Sequence, residues 1–205
     1  MKRTTIRRRR EAVAFVNQNR RLFPFVGLFL VGVLCGVLVY LAAARPAQDW
    51  AGLLHVPTGI DSWQSGLAAL WGSVLSVVVL LGVLFLLGTW PCGAPFILLV
   101  PLFHGLGLGL TEAYYYSLGG RGVVAAALVV MPHGLLCAAV LVMAAVESLR
   151  LSTELSRQLL PSASYGGLWT AFRLYCLRFL LFLLMTVFVG LLDILFRVVF
   201  GRVLL

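Results

Sequence analysis

Uncharged apolar blocks separated by short polar or glycine- and proline-rich stretches dominate this sequence. Residues 22–44 form one block of 23 positions without a charge, and residues 62–111 form another of 50. A helix rises about 1.5 Å per residue, so a hydrocarbon core of roughly 30 Å takes about 20 residues to cross. The second block is too long for one crossing and suits two. Its natural break is Gly88-Thr89-Trp90-Pro91-Cys92-Gly93-Ala94-Pro95, where prolines and glycines stop a straight helix. The pattern predicts an all-α, polytopic membrane bundle with five spans, at residues 22–41, 66–87, 95–116, 123–146 and 174–196.

The polar stretches have their own character. Residues 1–21 are a basic leading segment. Residues 45–65, with Asp49, Trp50, His55, Asp61 and Trp63, read as a short outer segment turning at Pro57-Thr58-Gly59. Tryptophan suits the membrane–water interface. Gly119-Gly120-Arg121-Gly122 reads as a tight turn between the third and fourth spans. Residues 147–173 change pattern: Glu147, Arg150, Glu154 and Arg157 recur at helical spacing, where each ion pair adds only a few tenths of a kcal/mol. This predicts an amphipathic extension of the fourth helix, stopped by Pro161. Arg178 can snorkel at the start of the fifth span.

Composition agrees. Of 205 residues, 61% are hydrophobic and 11% charged, against about a quarter charged in soluble domains. One membrane domain occupies residues 1–205 and leaves no room for a soluble catalytic domain. The block at 22–44 exceeds the roughly 7–15 apolar residues of a signal peptide core. An uncleaved first span is therefore expected, although Ala42-Ala43-Ala44 mimics a cleavage site. Cys35, Cys92, Cys137 and Cys176 show no paired spacing and read as small buried hydrophobes rather than a disulfide or metal framework.

The net charge of +9 suggests topology, not nucleic acid. Of sixteen lysines and arginines, eight lie in residues 1–21, and Arg150, Arg157, Arg173 and Arg178 lie between the fourth and fifth spans. With the N-terminus cytoplasmic, these twelve are inside, as positive-inside bias requires. Five spans then put the C-terminus outside. The basic run Lys2-Arg3 and Arg7 to Arg10 also suits anionic headgroups, at roughly 1 kcal/mol per basic residue.

Several residues have the right chemistry for a site. Gly93 and Pro95 open the third span, Pro101 interrupts it, and Gly105 and Gly109 make a GxxxG pair that lets another helix approach closely. That pair serves either packing within the chain or contact with a second helix-bearing chain. Pro132-His133-Gly134 in the fourth span frees a backbone carbonyl and supplies a donor and an acceptor. His133 and His104 are candidates for a proton or ligand site, or for buried histidines satisfying a helix break. Glu112 lies near the outer end of the third span, with Arg121 or Arg197 as candidate partners. Asp193 and Arg197, one turn apart, read as a local ion pair at the outer interface, worth little if wet. Histidines without a carboxylate cluster make a poor metal site. No Ser/His/Asp order, HExxH or phosphate-binding loop is apparent in the sequence. No cofactor, metal or catalytic residue is expected, and the intramembrane enzyme reading would require Glu112, His104 and His133 to converge. A transporter or channel component is the alternative prompted by the broken third span and the two histidines.

The Gly-x-Pro-x-Ile-Leu run from Gly93, with Gly105, Gly109, the aromatic end of the third span, Pro132-His133-Gly134 and the acidic Asp193, resembles the stage II sporulation protein M family. The resemblance covers nearly the whole chain and matches the family's order of elements. It implies a non-enzymatic, multi-pass scaffold in the bacterial cell membrane, acting in engulfment during endospore formation. The implied partners are the lipid bilayer and two peptidoglycan hydrolases, an amidase/endopeptidase and a lytic transglycosylase, held at the septal and engulfing membranes. A homo-oligomer stays open. The small-residue face of the third span and residues 45–65 are the expected docking surfaces. Two departures matter: Cys137 stands where wider members often carry glutamate, and the outer segment is short for the sporulation branch.

Overall fold

The computed structural model describes the backbone of residues 22–43, 63–158 and 168–204, and the side chains of these except at 63–70, 73, 168, 197, 198 and 200–204. The basic leading segment, residues 44–62 and residues 159–167 lie outside it, and with them the outer-segment turn and Pro161. The helices are α1 (Leu22–Ala43), α2 (Trp63–Thr89), α3 (Ala94–Ser117), α4 (Gly120–Gln158) and α5 (Leu168–Leu204). Four of them, α1, α3, α4 and α5, are long and apolar enough to cross a membrane. In α2 the apolar stretch among the described residues is shorter, Val74–Thr89.

Local chemistry sets the boundaries. The break between α2 and α3 is where expected: Gly93 caps α3 and Pro95 lies in its first turn, where a missing N–H costs nothing. Gly119 takes a positive φ of 82°, the conformation that glycine allows without a Cβ clash. It starts α4 at once, so Gly120 to Gly122 belong to the helix rather than to a separate turn. Pro132 sits inside α4. Its missing N–H is accommodated by a π-helical turn just before it, Ala126–Val130, in which the Met131 N–H reaches back to the Ala126 carbonyl. Such π turns absorb an irregularity without breaking the helix. The amphipathic extension is helical to Gln158, with Glu147–Arg150 and Glu154–Arg157 pairs at 3.3 and 3.8 Å.

The bundle is built around α4, which touches every other helix. Its small residues, Ala138, Ala144 and Ala145, are buried and let Leu84 of α2, Ile97 of α3 and Phe179 and Phe182 of α5 close over it. Lipid tails are as apolar as leucine, so such helices associate through packing and hydrogen bonds rather than through water exclusion.

Candidate functional site

Three constellations distinguish this bundle: a glycine seam, a hydroxyl clasp and a polar cluster within its apolar helices.

The seam joins α1 to α3. A Cβ added at Gly105 or Gly109 would collide with the carbonyl oxygens of Phe29 or Val33. A Cβ at Gly32 or Gly36 would collide with those of Leu102 or Leu106. Two GxxxG pairs therefore interlock, backbone against backbone. The α3 pair is evident from sequence. The α1 pair, Gly32 and Gly36, was equally visible as spacing, yet only the fold shows the two facing each other. Of the two roles open to the α3 pair, the seam shows packing within the chain, and α1 occupies this face of α3. At its far end Tyr40 donates to Ser117 Oγ at 2.8 Å.

The clasp lies where α2 ends. Hydroxyls of α4 and α5 donate to a carbonyl near its end and to carbonyls of the break that follows. Ser152 donates to the Trp90 carbonyl at 2.9 Å. Ser156 donates to the Pro91 carbonyl. Tyr175 of α5 donates to the Phe85 carbonyl at 3.0 Å and lies 3.3 Å from Ser148 Oγ. Gly88 leaves room for the Tyr175 hydroxyl oxygen, which a Cβ would strike. Ser148, Ser152 and Ser156 form an i, i+4, i+8 stripe on the α4 extension. That stripe was the available signal, obscured by the charged face beside it. Glu147 also pairs with Arg178 of α5.

The polar cluster is in the other half of the bundle. Fourteen residues of helix separate Glu147 from His133 and fifteen separate Arg178 from Asp193, about 21 and 22 Å of rise. Asp193 is 1% exposed. Its Oδ1 lies 3.9 Å from His133 Nδ1 across the α4–α5 contact. The side chain of Arg197 lies outside the described residues. Cys137, one turn after His133, has its sulfur 3.6 Å from His133 Nε2. From α3, His104 stacks on Phe29 at 6.1 Å and lies beside the Gly134 backbone, where the absence of a side chain also admits Leu108. Nε2 of His104 is shielded from solvent and makes no hydrogen bond among the described residues.

Cys137, His133 and Asp193 thus stand in the order of nucleophile, base and orienting acid, a grouping not apparent from their sequence positions. The cysteine is 2% exposed, so in this arrangement a substrate carbonyl has no approach to the sulfur. Glu112 does not join the histidines. It lies two turns beyond His104 on α3, about 12 Å along the axis, and accepts a hydrogen bond from Tyr116 at 3.0 Å. The convergence required for the intramembrane enzyme reading is therefore absent among the described residues.

Comparison with known proteins places this architecture. Nothing among curated proteins or solved structures matches. The family described as stage II sporulation protein M matches over residues 25–196, a span that includes the seam, the clasp and the polar cluster. The chain belongs to the stage II sporulation protein M family.

Proposed function

We propose that this chain is a non-enzymatic scaffold of the sporulation engulfment machinery, holding peptidoglycan hydrolases at the septal and engulfing membranes of the bacterial cell. Family membership over residues 25–196 is the observation that carries this reading. The fold supports a multi-pass scaffold with five crossings. In the seam, contacts climb together from Phe29 with Gly105 to Val33 with Gly109, so α1 and α3 run parallel. A chain that enters both in the same direction has to return across the same thickness between them, and α2 is the segment available. Five crossings put the termini on opposite sides, and the basic leading segment favours a cytoplasmic N-terminus with the C-terminus outside.

With the glycine seam closed internally, docking falls to faces that still point outward. The long α5 offers Leu180, Leu184, Phe188, Leu191 and Leu195, all exposed. Tagged protein taken in mild detergent from cells entering sporulation should recover an amidase/endopeptidase and a lytic transglycosylase. Leu184→Asn with Phe188→Asn should lose them while the bundle stays folded. Recovery of neither hydrolase by intact, abundant wild-type protein would sink the scaffold reading. It would favour a transporter or channel component, whose mark would be a flux abolished by His104→Leu with His133→Leu.

A further inference from the structure

We propose that the crevice between α4 and α5 holds one anionic phospholipid, its phosphate on Arg150 and Arg178 and an acyl chain along the apolar strip beside them. The inference does not rest on the scaffold reading.

Charge selects the headgroup. Glu147 pairs with two arginines, Arg150 of its own helix at 3.3 Å and Arg178 of α5. One carboxylate offsets one guanidinium, so the cluster keeps a positive charge. The neighbouring sequence does not cancel it. Between residues 134 and 192 the acids are Glu147 and Glu154 and the bases are Arg150, Arg157, Arg173 and Arg178, and Glu154 lies 3.8 Å from Arg157. Residues 62–111, which supply α2, the break after it and most of α3, carry no charge. The side chains of Arg150 and Arg178 are 52% and 45% exposed. Each has N–H donors besides the one facing Glu147, and a guanidinium fork matches phosphate oxygens.

Depth and surface select a lipid over a free anion. Glu147 lies against Arg178 and His133 against Asp193, so α4 and α5 run antiparallel. On α4, Met143, Ala139 and Leu136 precede Glu147 by four, eight and eleven residues, lie on its side of the helix and are exposed. On α5, Leu181 and Met185 follow Arg178 by three and seven residues and are exposed. These two strips border the same crevice, and the small Ala139 leaves room between Leu136 and Met143. From Glu147 to Leu136 the strip is about 16 Å long, close to half of the roughly 30 Å of hydrocarbon, the share of one leaflet. Trp90 is exposed, and its carbonyl accepts the hydroxyl of Ser152, five residues beyond Glu147, about 7.5 Å. Tryptophan suits the membrane–water interface. The arginines therefore stand at the hydrocarbon edge, where a snorkelling guanidinium meets phosphate. A soluble phosphate would use the arginines alone, whereas a lipid uses the arginines and the strip together.

The test adds phosphatidylglycerol or phosphatidylcholine with the same acyl chains to the delipidated full chain in detergent and counts bound lipids by native mass spectrometry. Wild type should retain one phosphatidylglycerol more firmly than any phosphatidylcholine. Arg150→Gln with Arg178→Gln should weaken that lipid about thirtyfold. Glu147→Gln, which removes the competing carboxylate, should bind it at least as tightly as wild type. Arg157→Gln with Arg173→Gln removes the same charge from the same end and should leave the lipid bound. Ala139→Trp should displace it with every arginine in place, and glycerol phosphate, a headgroup without chains, should not. Wild type without a preference for phosphatidylglycerol overturns the proposal. So do equal losses in the two arginine pairs, which indicate diffuse charge, and displacement by glycerol phosphate, which indicates a free-phosphate site. The wild-type preference and the glycerol phosphate competition decide this even where a variant fails to fold.

Discussion

At the residue scale, the strongest constraint is the absence of side chains along the seam. Gly36 and Gly109 sit where an added Cβ meets the facing backbone, and a carbonyl cannot rotate away as a side-chain tip can. Gly107 lies on the same helix with nothing within 4 Å of its added Cβ. Overpacking a close contact costs about 1–3 kcal/mol. Gly109→Leu and Gly36→Leu should each lower the melting temperature in detergent, measured by intrinsic fluorescence. Gly107→Leu should leave it unchanged. Equal losses at Gly107 and Gly109 would mean that helix flexibility, rather than the seam, sets stability. Asp193 teaches a different lesson at this scale. Its position three residues before the expected end of a span suggested an ion pair at the interface, and the side chain is buried. Sequence spacing cannot say which way a side chain near a helix end faces, and α5 runs on to Leu204, which carries Asp193 deeper into the bundle.

Among the elements, those whose cause is local were the most legible. The break at Gly88–Pro95, the start of α3 and the helical extension of α4 all follow from proline, glycine and charge spacing within a few residues. The π turn and the clasp depend on partners from elsewhere in the chain. The serine stripe within residues 147–158 marks a contact face but does not name its partner, the carbonyls some sixty residues upstream. The clasp makes a prediction proper to this scale. Interhelical hydrogen bonds in membranes contribute on average about 0.6 kcal/mol each. Ser152→Ala alone should therefore be mild, whereas Ser152→Ala, Ser156→Ala and Tyr175→Phe together should cost about 1–3 kcal/mol. The loss should be local. Hydrogen exchange should speed up at the end of α2 and leave α1 and α3 protected, because the seam is built elsewhere. Uniform deprotection of all helices would show that the clasp organises the whole bundle.

For the molecule as a whole, orientation and number of crossings are one question, and native chemistry helps to answer it. Cys92 is exposed in the break between α2 and α3, on the side that carries Glu147, Arg150 and Arg178. Positive-inside bias predicts that this side is cytoplasmic. Ala43 closes α1 and Leu118 follows α3, both exposed, and the parallel run of α1 and α3 puts them at the same end of the bundle. A membrane-impermeant maleimide should therefore label Ala43→Cys and Leu118→Cys on intact cells, each in a Cys92→Ser background. It should label native Cys92 only in inverted vesicles. Cys35 is exposed at mid-helix, where lipid excludes a charged reagent, and should stay unlabelled in both. The informative comparison is Ala43→Cys against Cys92, since α2 is the helix that lies between them among the described residues. Labelling of the two from opposite sides requires α2 to cross and makes five spans. Labelling from one side would mean that α2 folds back, and the parallel seam would then need a different path for residues 44–62. The comparison also fixes where partners can meet the chain, because the linker from α1 to α2 faces peptidoglycan only if it is outside.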